Sequence, residues 1–158
     1  MHEFPKFRKL SLVGWLLVSF TVALFGIRQG HANAPPGRYT VADLTVGDTR
    51  TGLVWERQGP AAAQTSANAA TYCQNSTLEN AQWRLPTMKE LQTLVDESQS
   101  GPSIDVIAFP GTPAGEFWTS STVGSFPILN WTINFVDGDT SFGSGTKTAY
   151  VRCVRLSG

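Results

Sequence analysis

Histidine is almost missing from this chain. Its two histidines, His2 and His31, lie in or at the edge of an N-terminal leader. Beyond the leader there is no imidazole to act as a general base. Ser-His-Asp and Cys-His nucleophile systems are therefore excluded. The commonest side-chain ligand for zinc and copper is missing too. Cysteine is equally scarce. Cys73 and Cys153 are the only two. Neither lies near the end of the leader, which argues against a lipid-anchored lipoprotein. Positive charge is also in short supply. From Asn33 onward eight Lys and Arg face eleven Asp and Glu, a net of −3. Nucleic-acid binding needs a basic face to neutralise phosphates, and this balance argues against it. No internal repeat or coiled coil is present.

The leader itself has three parts. Lys6, Arg8 and Lys9 are basic, Leu10 to Ile27 is an uncharged run of 18 residues, and Gly30, Ala32 and Ala34 are small. That order is the signature of a secretory signal. The expected cut follows Ala32 or Ala34, leaving residues 1–34 as signal peptide. The alternative is an uncleaved membrane anchor, because 18 apolar residues are just long enough to span a bilayer. Export to the periplasm, the cell surface or the exterior is expected. Membrane association is expected only if the leader stays on.

The remaining chain of about 125 residues has the length of one domain. Trp55, Trp83, Trp118 and Trp131 supply apolar mass for a core. Residues 35–45 read as a short tether and a weak first strand, and 46–158 as the domain. Gly47 to Gly52 is turn chemistry leading into a strand at Leu53–Glu56. Ala61 to Asn75 favours a helix, with Thr65 or Ser66 as its cap and a face of small residues around Ala69, Ala70 and Cys73. The second helix is better marked. Thr87 and Glu90 form a T-x-x-E capping box just after Pro86, and Met88, Leu91, Leu94 and Val95 follow at helical spacing. Pro102 to Gly115 reads as a long connection. Phe117–Ser121 reads as a strand. Trp131, Ile133 and Phe135 alternate with Thr132, Asn134 and Val136 as a strand with one buried face. Asp137-Gly138-Asp139 makes a turn, and Thr148–Leu156 reads as a central final strand.

Several of these segments form an ordered set of motifs. Asp48-x-x-Thr51-Gly52-Leu53-Val54-Trp55 comes first, followed by Tyr72-Cys73. Next is Trp83-Arg84-Leu85-Pro86-Thr87 with Glu90-Leu91, then Phe117-Trp118-Thr119-Ser120-Ser121. Tyr150-Val151-Arg152-Cys153-Val154-Arg155 closes the chain. From Val46 to Leu156 the pattern resembles the Lcl C-terminal domain family, named after a collagen-like adhesin. That family is similar in fold to C-type lectin-like domains and, more distantly, to formylglycine-generating enzymes. The resemblance implies an α+β, C-type lectin-like fold: two helices packed on a twisted antiparallel sheet, with the chain ends close together. It also implies a long-range disulfide between Cys73 and Cys153. Two cysteines in an exported chain pair most simply, and two buried thiols are the alternative.

The resemblance further implies a non-catalytic binding module, with a glycan or another envelope protein as partner. A structural or assembly component with protein partners only is the alternative, and an oligomer is compatible with either. Neither the calcium-site triplets E-P-N and Q-P-D nor the triplet W-N-D of sugar-binding C-type lectins occurs; the nearest segment is Asn130-Trp131-Thr132. Asp137 and Asp139 offer too few oxygens for calcium. An enzyme of the formylglycine-generating type would need reactive cysteines as copper ligands, and a bridge would occupy both. No catalytic residue, metal ligand or cofactor is expected. Trp55, Trp83, Arg84, Pro86, Thr87 and Glu90 read as structural. Candidate ligand contacts are Asp105 and Glu116 around the first long connection and Phe126 in the second, Ser121–Leu129. Trp118 and Trp131 would be stacking platforms, although core packing suits their strand patterns better.

Overall fold

A computed structural model describes residues 34–158. The expected signal peptide, apart from Ala34, lies outside the described residues. The described chain is α+β, and its strands pair antiparallel in three groups.

The first sheet has the order β1-β2-β3-β9. β1 is Tyr39–Val41, β2 is Thr45–Asp48, β3 is Leu53–Glu56 and β9 is Val154–Leu156. The first and last strands among the described residues therefore share one sheet. The turn between β2 and β3 closes where the Gly52 amide donates to the Asp48 carbonyl at 2.9 Å. Gly52 adopts φ +67°, which glycine reaches without a Cβ penalty. Asp48 is buried, and Arg38 donates to it at 2.9 Å. Arg38 also reaches the carbonyl of Thr93, pinning the sheet to the end of the second helix.

β4 (Gln64–Thr65) pairs with β8 (Thr148–Ala149) as a two-stranded ribbon and leads directly into helix α1, Ser66–Gln74. Thr65 caps α1, accepting from the Asn68 amide. Helix α2, Met88–Gln92, begins with the expected capping box, complete in both directions. It is shorter than its apolar spacing predicts. Thr93 Oγ1 donates to the Glu90 carbonyl, and the Leu94 and Val95 amides donate three residues back, so the chain tightens and leaves the α-helical path. Leu94 still enters the core.

The third group is β5 (Glu116–Val123), β6 (Phe126–Asn134) and β7 (Thr140–Gly143). The predicted connection Ser121–Leu129 is instead the tip of the β5–β6 hairpin, turning at Gly124. The predicted continuous strand Thr148–Leu156 is interrupted. Residues 150–153 leave both ribbons because Tyr150 exchanges backbone bonds with Glu116 and Trp118, while Glu56 donates to the Cys153 carbonyl.

Two cores result. One joins Trp55, Leu91, Leu94, Phe109, Phe117, Ile133 and Phe135 between the first sheet, α2 and the hairpin. The other sits beneath α1 and joins Ala69, Trp83, Leu85, Trp118 and Val151 to the disulfide. Cys73 and Cys153 are bonded, with Cα atoms 5.4 Å apart, and both are fully buried. The small residues Ala69 and Cys73 give α1 the close approach its sequence predicts.

The R-L-P-T segment is a structural lock. Arg84 donates to both Glu90 oxygens at 2.8 and 2.7 Å. Glu90 Oε2 also accepts from the Thr87 amide. Ser121 Oγ accepts from the Met88 amide, and the Ser120 amide donates to the Pro86 carbonyl. Two motifs far apart in sequence thus hold each other at the start of α2.

Candidate binding cleft

α1 buries one face and presents another. Asn68, Thr71, Tyr72 and Asn75 recur at i, i+3, i+4 and i+7 and form one polar stripe. This stripe is one wall of a cleft of about 660 Å³. Asp43 and Leu44, between β1 and β2, line the cleft with it, as do Glu56 and Gln58 at the end of β3 and Gln64 of β4. Ser76, Thr77 and Leu78 complete the lining beyond the helix. The volume lies within the usual range of small-molecule sites.

Glu56 is the cleft's most constrained group, only 3% exposed. Its Oε1 accepts from the Tyr72 hydroxyl at 2.5 Å, and its Oε2 accepts from the Cys153 amide at 3.3 Å. Burial raises its pKa above the ordinary carboxylate value, against the opposing effects of these two bonds and the charge of Arg152. Burial and then the bond to Glu56 push the Tyr72 phenol up as well, so it stays a donor. Arg152 lies behind, fully buried. It donates to the carbonyls of Glu56 and Arg57 at 2.8 and 2.7 Å and to Thr112 Oγ1 at 2.8 Å. Its guanidinium stacks over Phe109. Burial lowers its pKa to about 10, which leaves it charged at neutral pH. Arg152 therefore pins the end of β3 to the 102–115 connection.

The Gln58, Gln64, Asn68 and Asn75 carboxamides make no side-chain hydrogen bond among the described residues. Each keeps donors and an acceptor free for a ligand. Among the described residues, Lys and Arg are absent from the lining.

The profile of the Lcl C-terminal domain matches residues 44–155. The chain belongs to the Lcl C-terminal domain family. No curated protein matches the sequence. The Lcl C-terminal domain match takes in every cleft residue except Asp43.

The five ligand contacts expected from sequence lie elsewhere. Trp118 is fully buried, and its Nε1 donates to the Gln64 carbonyl at 2.7 Å. It is a core residue and offers no face for stacking. Asp105 is buried rather than exposed on a loop. It accepts from the Ile107 and Ala108 amides, a local turn inside the 102–115 connection. Glu116 is the first residue of β5, where Thr132 donates to it at 2.7 Å and Lys147 pairs with it. Trp131 is half-buried and meets Phe142 edge-to-face. Phe126 is exposed, on the hairpin. Thr132, expected on a solvent face, is buried. The Asp137–Asp139 turn packs tightly on α2's exit: a Cβ on Gly138 would lie 2.7 Å from Val95. Among the described residues no group of three or more His, Cys, Asp or Glu gathers to hold a metal.

The polar stripe on α1 was the missed signal. Its spacing is visible in the sequence. A solvated helix face has the same pattern, and only the packing of β2, β3 and β4 beside it makes a cleft.

Proposed function

We propose that this protein is an exported, non-catalytic binding module of C-type lectin-like fold, and that a glycan seats in the α1 cleft. The observation that carries this reading is the set of four free carboxamides around the flat Tyr72 ring, with Leu44 and Leu78 as apolar lining. Sugars present hydroxyls that both donate and accept beside apolar C–H faces. Carboxamides and an aromatic ring are the matching chemistry. First and last strands in one sheet, and a bridge from the first helix to the last strand region, support the lectin-like fold. The buried disulfide supports an oxidising compartment, in keeping with the leader.

The test is a glycan-array screen of the oxidised protein, with and without chelator, repeated on the Asn68→Ala and Gln64→Ala variants. Reproducible spots that fade in both variants support the reading. A blank array sinks it.

A second reading is an assembly component with protein partners only. One observation favours it. Phe126 and Ile128 on β6 and Phe142 on β7 are 62%, 74% and 52% exposed. Apolar side chains this open on neighbouring strands mark contact surfaces.

A further inference from the structure

The cleft's charge narrows the ligand, and this step rests on the glycan reading. Among the described residues, Asp43 and Glu56 are the charged residues of the lining, and both are acids. The arginines that flank these residues are committed elsewhere. Arg57, between Glu56 and Gln58, donates its Nε to the Ala108 carbonyl at 3.3 Å. Arg152 is buried on backbone carbonyls, and Arg155 pairs with Glu79. A sulfate or carboxylate entering the cleft would meet two carboxylates with no compensating cation, and like charges brought together in a partly desolvated site repel strongly.

Hydroxyls meet the opposite situation. Each Glu56 oxygen has one partner, which leaves lone pairs unused. The Tyr72 proton is committed to Glu56, so the phenol oxygen is left to accept. Its bond to a carboxylate makes that oxygen a better acceptor, because linked hydrogen bonds polarise one another. The floor of the cleft is thus rich in acceptors and wants donors. The carboxamides along the walls satisfy either sense.

We infer that the α1 cleft binds an uncharged, hydroxyl-rich saccharide and rejects its sulfated or carboxylated forms. Discrimination comes from Glu56 and Asp43, with Tyr72 as the acceptor that a sugar hydroxyl meets.

The experiment is calorimetric titration of the oxidised protein with neutral gluco-, galacto- and manno-trisaccharides and with the same trisaccharides after chemical sulfation. At least one neutral trisaccharide should bind, and sulfation should weaken it by about tenfold or more. Asn68→Ala, an exposed change that leaves the core untouched, should weaken the neutral sugar. Thr71→Arg, also exposed, should raise affinity for the sulfated form. Glu56→Gln should narrow the gap between the two forms, with circular dichroism verifying its fold. Equal or tighter binding of the sulfated form overturns the inference and leaves the glycan reading standing. Neutral binding indifferent to both exposed variants places the sugar elsewhere and also overturns it. Failure of every sugar, neutral or sulfated, overturns the inference and the glycan reading together.

Discussion

Tyr72 on α1 and Glu56 at the end of β3 are joined by a 2.5 Å hydrogen bond across sixteen residues of sequence. The next residue after Tyr72 is Cys73, and the amide of its bridge partner Cys153 donates to the other Glu56 oxygen. One buried carboxylate therefore joins the cleft to the disulfide. Tyr72→Phe removes one of its two donors and keeps the ring. A buried acceptor left short of a partner costs about 1–3 kcal/mol. Chemical denaturation should show that loss, with the Tyr72→Phe protein still folded.

Glu56 also gives stability a pH dependence of unusual sign. Its folded pKa is raised, mainly by burial, from the ordinary 4.5. Between the ordinary value and the raised one, the folded state holds a proton that the unfolded chain has released. Its contribution is full below the ordinary value and is lost as pH rises through the folded pKa. Glu90 and Asp48 act in the opposite direction. The Arg84 bond, outweighing burial, lowers Glu90; at Asp48 burial pulls upward, and the bonds from Arg38, the Arg50 amide and Thr51 with the charge of Arg38 together bring it down. Their contribution is present above the ordinary carboxylate range and is lost as pH falls through their folded values. Denaturation midpoints of wild type and Glu56→Gln should thus differ in slope. On acidification from neutral pH, wild type should gain relative to the variant. A constant difference across that window would remove Glu56 from the account.

The lock at α2 predicts a local cost. Thr87→Ala deletes the acceptor for the Glu90 amide and should cost about 1 kcal/mol. Arg84→Lys keeps the charge and loses the bidentate fork on Glu90, so the conservative change should not behave as conservative. Denaturant midpoints of both variants, and of the pair combined, test this. Non-additivity is expected because both act on Glu90, one through its backbone amide and the other through its carboxylate.

The capping box within that lock was legible in the sequence because it is local. Thr87 and Glu90 stand three residues apart, and a capping box needs nothing else. Leu53–Glu56 and the Asp137–Asp139 turn were legible for the same reason. What escaped was decided by partners distant in sequence. α2 gives way after Gln92 although Leu94 and Val95 keep a helical period: Thr93 turns its hydroxyl onto the Glu90 carbonyl, Arg38 takes the Thr93 carbonyl, and the turn at Gly138 packs on Val95. The last strand breaks at Tyr150 to Cys153 because those residues bond β5 and β3 in turn. Trp118 and Trp131 stand on neighbouring strands with similar patterns. The first is sealed beneath α1 and the second lies half-open against Phe142. The cleft escaped because a polar helix stripe looks alike whether it faces bulk water or a cavity.

The disulfide closes a loop with a sequence separation of 80. In the chain-entropy model, a loop of that size stabilises the fold by about 4–5 kcal/mol. Cys73→Ser with Cys153→Ser should therefore unfold at much lower denaturant concentration. Cys73 and Cys153 are fully buried, so reductant should act slowly on the folded wild type and quickly once denaturant opens it. Free-thiol titration against time in the two conditions would measure this. Fast reduction without denaturant would mean that α1 opens readily, and with it the wall of the cleft.

Trp118 and Phe126 separate core from surface in one comparison. Trp118→Ala empties a site packed against Ala69, Val151 and the disulfide, and should cost about 3–5 kcal/mol. Phe126 stands in solvent at 62% exposure, so Phe126→Ser should change stability by about 0.5 kcal/mol or less. Its effect should appear in association instead. If the open apolar side chains on β6 and β7 meet a protein partner or a second copy, Phe126→Ser with Ile128→Ser should abolish that association while leaving trisaccharide affinity unchanged. Sedimentation velocity and the calorimetric titration, run on the same preparation, decide it. Loss of both activities together would mean that hairpin and cleft work as one surface. Loss of neither would leave the hairpin side chains as single exposed apolar groups with no contact to make.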